Sequence, residues 1–213
     1  MAYTRGNSSN IIVGAAAFFM ADATLDATDV SPLTTPGVSA KDTLEADSSF
    51  TNVGYTSNGL ELQFQPDFGE VQVDQLLDVA KLYKQGMKVN LTTAFAEATL
   101  ENLLIALAYT DSKLSGTKST KSGQSLDLSA GVIGECPVER GIVAVGPGTG
   151  DCADSTNFER LYVAYRALSI ENVTVSAKRD EASKFEVSFR LLPEDTSASY
   201  GKLVDRNWAS LTS

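Results

Sequence analysis

The sequence predicts a mainly β (α+β) chain: an antiparallel β-sandwich or barrel with one short flanking α-helix and long assembly loops. Three observations predict it. Apolar and polar residues alternate with period two in several stretches, most cleanly where Leu60, Leu62 and Phe64 interleave with Glu61, Gln63 and Gln65, the pattern of strands that put one face into a core. Convincing helical spacing occurs at one place, Leu100, Leu103, Leu104 and Leu107. Connections rich in Ser, Thr, Asp, Gly and Pro separate the periodic segments and carry no period of their own.

The bulk properties narrow the function. A chain of 213 residues suits one well-cored domain spanning 1–213. Hydrophobic content of 43% with 21% charged residues excludes a wholly disordered chain. The net charge of -10, from 17 basic and 27 acidic residues, argues against a surface built to grip a phosphate backbone, which takes clustered Lys and Arg. There is no histidine, which excludes Ser-His-Asp, Cys-His and HExxH chemistry and removes the commonest metal ligand. Cys136 and Cys152 are too few for a disulfide scaffold or a thiolate zinc site, and leave open two free thiols or a single disulfide.

Taken in order, residues 11–20 form an apolar run that reads as a buried first strand. Arg5 before it and Ala21-Asp22-Ala23 after it also mimic a secretory signal and cleavage site. The run is too short for a bilayer, which takes about 20 residues. Residues 21–52, with Pro32 and Pro36-Gly37, read as a long loop. Residues 60–65 and 70–74 read as two strands joined by a turn at 66–69, with Val71 and Val73 beneath Glu70, Gln72 and Asp74. A third strand covers Met87, Val89, Leu91, Thr93 and Phe95. The helix follows, capped by Thr99, with Glu101 at the positive end of its dipole.

Residues 111–126 read as a loop or hairpin tip inside a longer connection, 111–150. Residues 141–145 and 161–170 are apolar on both faces. Val173, Val175 and Ala177 suggest another strand, Phe185, Val187, Phe189 and Leu191 a clearer one, and 193–213 a closing strand or arm.

Motifs for chemistry are missing. The stretch VGPGTGD at 145–151 lacks the Lys and Ser/Thr of a phosphate loop and ends on a carboxylate. Asp26 with Asp29, Asp67 with Glu70, and Asp74 with Asp78 match neither a calcium loop nor a testable glycosidase pair. Nothing cationic precedes Cys136, and Glu135 adjoins it, so a structural cysteine is expected. No catalytic residue, metal site or cofactor is expected.

The segment VGYTSNGLELQFQPDFGEVQVDQLLDVAKLYKQGMKVNLTTAFAEATLENLLIALAY, residues 53–109, resembles the central part of the major tail tube proteins of long-tailed, non-contractile bacteriophages. The resemblance rests on Val53-Gly54-Tyr55-Thr56 with Gly59, on Val73-Asp74-Gln75, and on Ala96-Glu97, Thr99-Leu100 and Asn102-Leu103. It extends loosely to the opening apolar strand and to the closing FRLLPEDTSASYGKLVDRNW. The Pro-rich segment, however, comes later here than is usual in that family.

This resemblance implies a structural subunit of a virion tail. It would be assembled in the host cytoplasm into hexameric rings that stack as a tube. Its partners would be further copies of itself and other tail proteins (tape measure, tail terminator, distal tail), with no membrane involved. DNA would pass through the lumen without specific binding. Alternation with Val71 and Val73 motivates placing Glu70, Gln72 and Asp74, with Glu61 and Gln63, on an acidic and amide-rich channel wall, the alternative being the solvated face of a monomer. Two other readings stay open at this point. One is an exported β-sandwich binding module of adhesin or surface-layer type with a cleaved N-terminal signal; the other is an enzyme working through a carboxylate pair.

Overall fold

A computed structural model describes residues 12, 14–75, 78–119, 123–134, 136–149, 157–175, 179 and 183–209. The chain is mostly β, with one large antiparallel sheet and few helices. Its elements are β1 (Ala17–Ala21), α1 (Val30–Leu33), α2 (Ala40–Ala46), β2 (Phe50–Asn52), β3 (Thr56–Val71), β4 (Lys81–Phe95), α3 (Leu100–Ala106), β5 (Leu114–Gly116), β6 (Gln124–Leu126), β7 (Arg140–Pro147), β8 (Phe158–Ser169), β9 (Phe185–Leu192) and β10 (Gly201–Asn207). The main sheet runs β2-β1-β7-β8-β9-β4-β3, while β5 and β6 form a separate small hairpin.

β9 and β10 share one edge of β8. β9 pairs with its end, Leu192 opposite Arg166, and β10 resumes along the same edge with Gly201 opposite Ala164.

The sheet curls until its distant strands touch. Phe18 of β1 lies 5.8 Å from Phe95 of β4 and 6.2 Å from Phe189 of β9, ring centre to ring centre. These rings join Leu91, Ile142, Val187 and Leu104 in one core. A second core lies on the other side of β1, β7 and β8, where Phe19, Val143, Val145, Leu161 and Val163 pack against Val30, Leu33, Ala40 and Leu44. The double-sided apolar character of β7 and β8 is thereby explained: each strand is covered on both faces, which turns alternation into a continuous apolar run.

That second core corrects the reading of 21–52 as a structureless loop. The segment folds into α1, α2 and β2 because Val30, Leu33, Ala40 and Leu44 are all buried. A charged clamp holds it there. Buried Glu159 accepts hydrogen bonds from Ala40 N (3.0 Å), Ser39 Oγ (3.0 Å) and Arg206 Nε (2.7 Å), while Arg206 also donates to the Thr35 and Val38 carbonyls.

Connection 111–150 is likewise not one loop. It holds β5, β6 and the buried β7. No strand covers Val173 and Val175, the latter being exposed, and Ala177 lies outside the described residues. Gly150, Asp151 and Cys152 also lie outside them, whereas Cys136 is exposed with a free thiol. Among the described residues no helix is long and apolar enough to cross a membrane.

The helix begins where expected, Thr99 Oγ1 accepting from Asn102 N, but its buried face is rotated. Asn102, Leu104, Ile105 and Ala106 are buried, while Leu100, Leu103 and Leu107 are half-buried and Leu107 is already the C-cap. A helix this short is covered on two sides, by the curled sheet and by the β5–β6 hairpin, so a single i, i+3, i+4 stripe does not describe it.

Candidate assembly surface

The β3–β4 hairpin is longer than its alternation suggested. Residues 66–69 are not a turn: Pro66 and Gly69 lie inside the 16-residue β3, opposite Met87 and Tyr83 of β4. Pro66 is tolerated because β3 is the last strand of the sheet, where a missing N–H costs no ladder bond on the open side. Gly69 is roofed by the Tyr83 ring, whose Cζ would lie 2.6 Å from an added Cβ. An aromatic ring across the strand compensates for the missing side chain. The turn falls instead after Val71, so Gln72 and Asp74 are exposed turn residues, and Val71 and Val73 are not a buried layer beneath them but 41% and 38% exposed.

Strand parity separates the expected wall residues. Glu61, Gln63, Gln65 and Asp67 stand opposite Thr92, Asn90, Lys88 and Gly86 on one face. β9 continues this face with Ser188 beside Thr92 and Arg190 beside Asn90. The other face carries Leu60, Leu62, Phe64, Pro66 and Phe68, and by the same alternation Glu70 belongs to it, opposite Leu82. Glu61 and Gln63 therefore share a surface that Glu70 does not. The shared surface also holds Lys88 and Arg190, so it is mixed in charge and amide-rich, not purely acidic.

The inner part of the apolar face closes the first core. Leu62, Phe64 and Pro66 pair with Leu91, Val89 and Met87, and Val89 and Leu91 are fully buried. Beyond Val89 the third strand stops, because β9 meets β4 only from Val89 to Phe95. The outer half of the hairpin therefore projects as a two-stranded blade with Phe64, Phe68 and Leu82 between 53% and 60% exposed. Tyr200 ties its base to the start of β10 by donating its hydroxyl proton to the Met87 carbonyl at 2.9 Å.

Two of the three segments that carry the resemblance converge at the other end of the hairpin, whereas Val73-Asp74-Gln75 lies in its turn. Gly54, at φ 82°, turns the chain so closely over Glu97 that an added Cβ would lie 2.1 Å from its Oε1. Glu97 Oε1 accepts from Tyr55 N at 2.9 Å, and the Asn102 amide donates to the Val53 and Glu97 carbonyls at 2.8 and 2.9 Å. The VGYT and AE-TL-N segments thus form one latch between β2, β3 and α3, a role that their separation in sequence conceals.

Elsewhere the ionic groups serve the fold. Arg166 bridges Glu139 and Asp195, and Arg140 reaches Asp111 at 2.6 Å. Glu194 has its pKa pulled down to about 2 by hydrogen bonds from Ser197 and Thr196 in the turn after β9. Among the described residues no group of three or more His, Cys, Asp or Glu side chains is placed to hold a metal ion. Neither a scan against protein-family models nor a search of curated proteins matches this chain.

Proposed function

We propose that the chain is the structural subunit of a phage tail tube, a protein that works by assembling with copies of itself. The observation that carries the reading is the outer face of β3, β4 and β9. It is polar from Glu61 to Asp67 on β3 and at Asn90 and Lys88 on β4, while the opposite face closes the core as far as Val89, and β3 ends the sheet with an unpaired edge. Unpaired edges template strand addition, and closing them around a ring satisfies every backbone group while leaving one continuous face inward.

In this reading Glu61, Gln63, Gln65 and Asp67 line the channel with Asn90 and Lys88. Duplex DNA, with about one charge per 1.7 Å, slides past a wall that offers carboxylates and amides and few cations. Six chains at -10 each repel one another, so ring contacts must be broad. The segments that hold α1, α2, β5 and β6 and the C-terminal arm supply surface for them. No catalytic residue or cofactor enters this role, and the partners are further copies of the chain and the other proteins of a virion tail assembled in the host cytoplasm.

Negative-stain imaging of the purified protein over a range of concentrations tests the proposal. Rings or hollow tubes are expected. A monodisperse monomer at high concentration overturns it.

A further inference from the structure

The projecting half of the β3–β4 hairpin has two open edges. One is the outer edge of β3, the last strand of the sheet, and the other is the part of β4 before Val89, which β9 does not reach. The two edges differ in charge. β3 carries Glu61, Asp67 and Glu70 and no Lys or Arg, whereas β4 carries Lys81, Lys84 and Lys88 and no Asp or Glu. The register inside the hairpin leaves these charges unmatched. Lys81, Lys84 and Lys88 stand opposite Val71, Phe68 and Gln65, and the three carboxylates opposite Thr92, Gly86 and Leu82. All six are exposed and none enters an ion pair among the described residues, Lys84 donating only to Met87 Sδ at 3.6 Å.

The same asymmetry holds on both faces of the hairpin. By strand parity Glu61 and Asp67 share one face with Lys81 and Lys88, and Glu70 shares the other with Lys84. Two like edges in contact bring carboxylates toward carboxylates, or lysines toward lysines, and like charges across paired strands are destabilising. An acidic β3 edge against a basic β4 edge matches on both faces at once. Charge therefore selects a second copy in head-to-tail contact over a two-fold pair of identical edges, and head-to-tail contacts propagate into rings or filaments.

We infer that the β3 edge of one copy pairs with the outer β4 edge of the next, so that neighbouring hairpins form one continuous ribbon. This junction rests on the assembly reading above and names the strands that join. Copies related by rotation about a ring axis keep every β3 running one way and every β4 the other, so the new pair is antiparallel, like the pair inside the hairpin. Ladder bonds and the covering of Phe64, Phe68 and Leu82, each more than half exposed in the single chain, supply the affinity, while the charges select the partner. Pro66 brings no N–H to the β3 edge and Gln85 is an extra residue in β4, two features that discourage indiscriminate strand addition.

The test uses three full-length variants, all changed at exposed positions, and sedimentation velocity across concentration at low salt. The first reverses the β3 edge (Asp67→Lys with Glu70→Lys), the second reverses the β4 edge (Lys84→Glu with Lys88→Glu), and the third carries all four changes. Each of the first two should need at least about tenfold more protein to assemble than the wild type. They alter the net charge in opposite senses, so bulk repulsion alone would move their onsets in opposite directions. An equimolar mixture of the two should recover the wild-type onset, because alternating copies again set acid against base, and so should the third variant. Recovery in the mixture, or in the third variant if a single reversal leaves the hairpin unfolded, supports the junction. Unchanged onsets for the first two, or recovery in neither sample, overturn it. If the wild type still forms rings or tubes in that case, the tail-tube reading survives with other edges joined. A wild type that stays monomeric brings down both.

Discussion

Gly54 and Glu97 set the chain's path into its longest hairpin, and the two glycines near that entry differ sharply in what they tolerate. Gly54 has φ 82° and Glu97 against it, whereas Gly59 has φ 71° and open space. Gly59→Ala should cost about 1–2 kcal/mol, the left-handed backbone penalty alone. Gly54→Ala should cost more than that, because the carboxylate must also move off the Tyr55 amide. Urea unfolding of the two variants compares them directly, and equal costs would discard the latch.

Asp205 offers a pH test at the same scale. Burial by itself would raise its pKa, but hydrogen bonds from Arg160 and Thr149 outweigh burial and hold it below the usual carboxylate range. A depressed carboxylate stabilises the fold above its unfolded pKa of about 3.9 and loses that contribution as pH falls through the lower folded value. The urea midpoint should therefore drop more steeply below about pH 4 in the wild type than in Asp205→Asn. Parallel curves would show that the β8–β10 ion pair contributes nothing.

Among the elements, β10 has a role disproportionate to its length, because Arg206 reaches both β8 and the 34–40 segment. With Arg206 and Glu159 side chains only 11% and 7% exposed, Arg206→Ala strands a buried carboxylate and should cost about 3–5 kcal/mol. Glu159→Gln combined with Arg206→Met should cost less than the sum of the single changes. Additive costs, measured as a double-mutant cycle in urea, would rule out coupling across the pair.

The elements also mark how far the sequence could be read. β9 and the interior strands were legible because alternation or continuous apolar runs report burial directly. The projecting half of β3 was misjudged because Pro66, Asp67 and Gly69 carry turn chemistry, and only the unpaired edge and the Tyr83 ring make them acceptable in a strand. α1 and α2 were invisible because four residues are too short for a period to emerge and α2, though as long as α3, buries only Ala40 and Leu44. Their buried positions are set by the far side of β7 and β8. The shared face of Glu61 and Gln63 followed from parity, whereas the separation from Glu70 depends on β3 running on through 66–69 past a register shift between Asp67 and Phe68 that leaves Gln85 of β4 as the extra residue, which no local pattern announces.

For the whole molecule, the strong acidity of the chain opposes the self-assembly proposed for it. Six copies in the proposed ring would carry about -60, and exposed like charges are screened beyond roughly 10 Å at 0.1 M salt and 3 Å at 1 M. The onset concentration for assembly should fall as sodium chloride rises. A rise with salt would mean that ion pairs, not apolar and backbone contacts, dominate the joints.

An electron cryo-microscopy map of the assembled particle would report both the proposed assembly and the orientation of β3 within it. Closed rings stacked into a tube are expected, with Glu61, Gln63, Gln65 and Asp67 of each β3 facing the channel. Particles that remain single chains, or a tube with those four side chains on its outer surface, would contradict it.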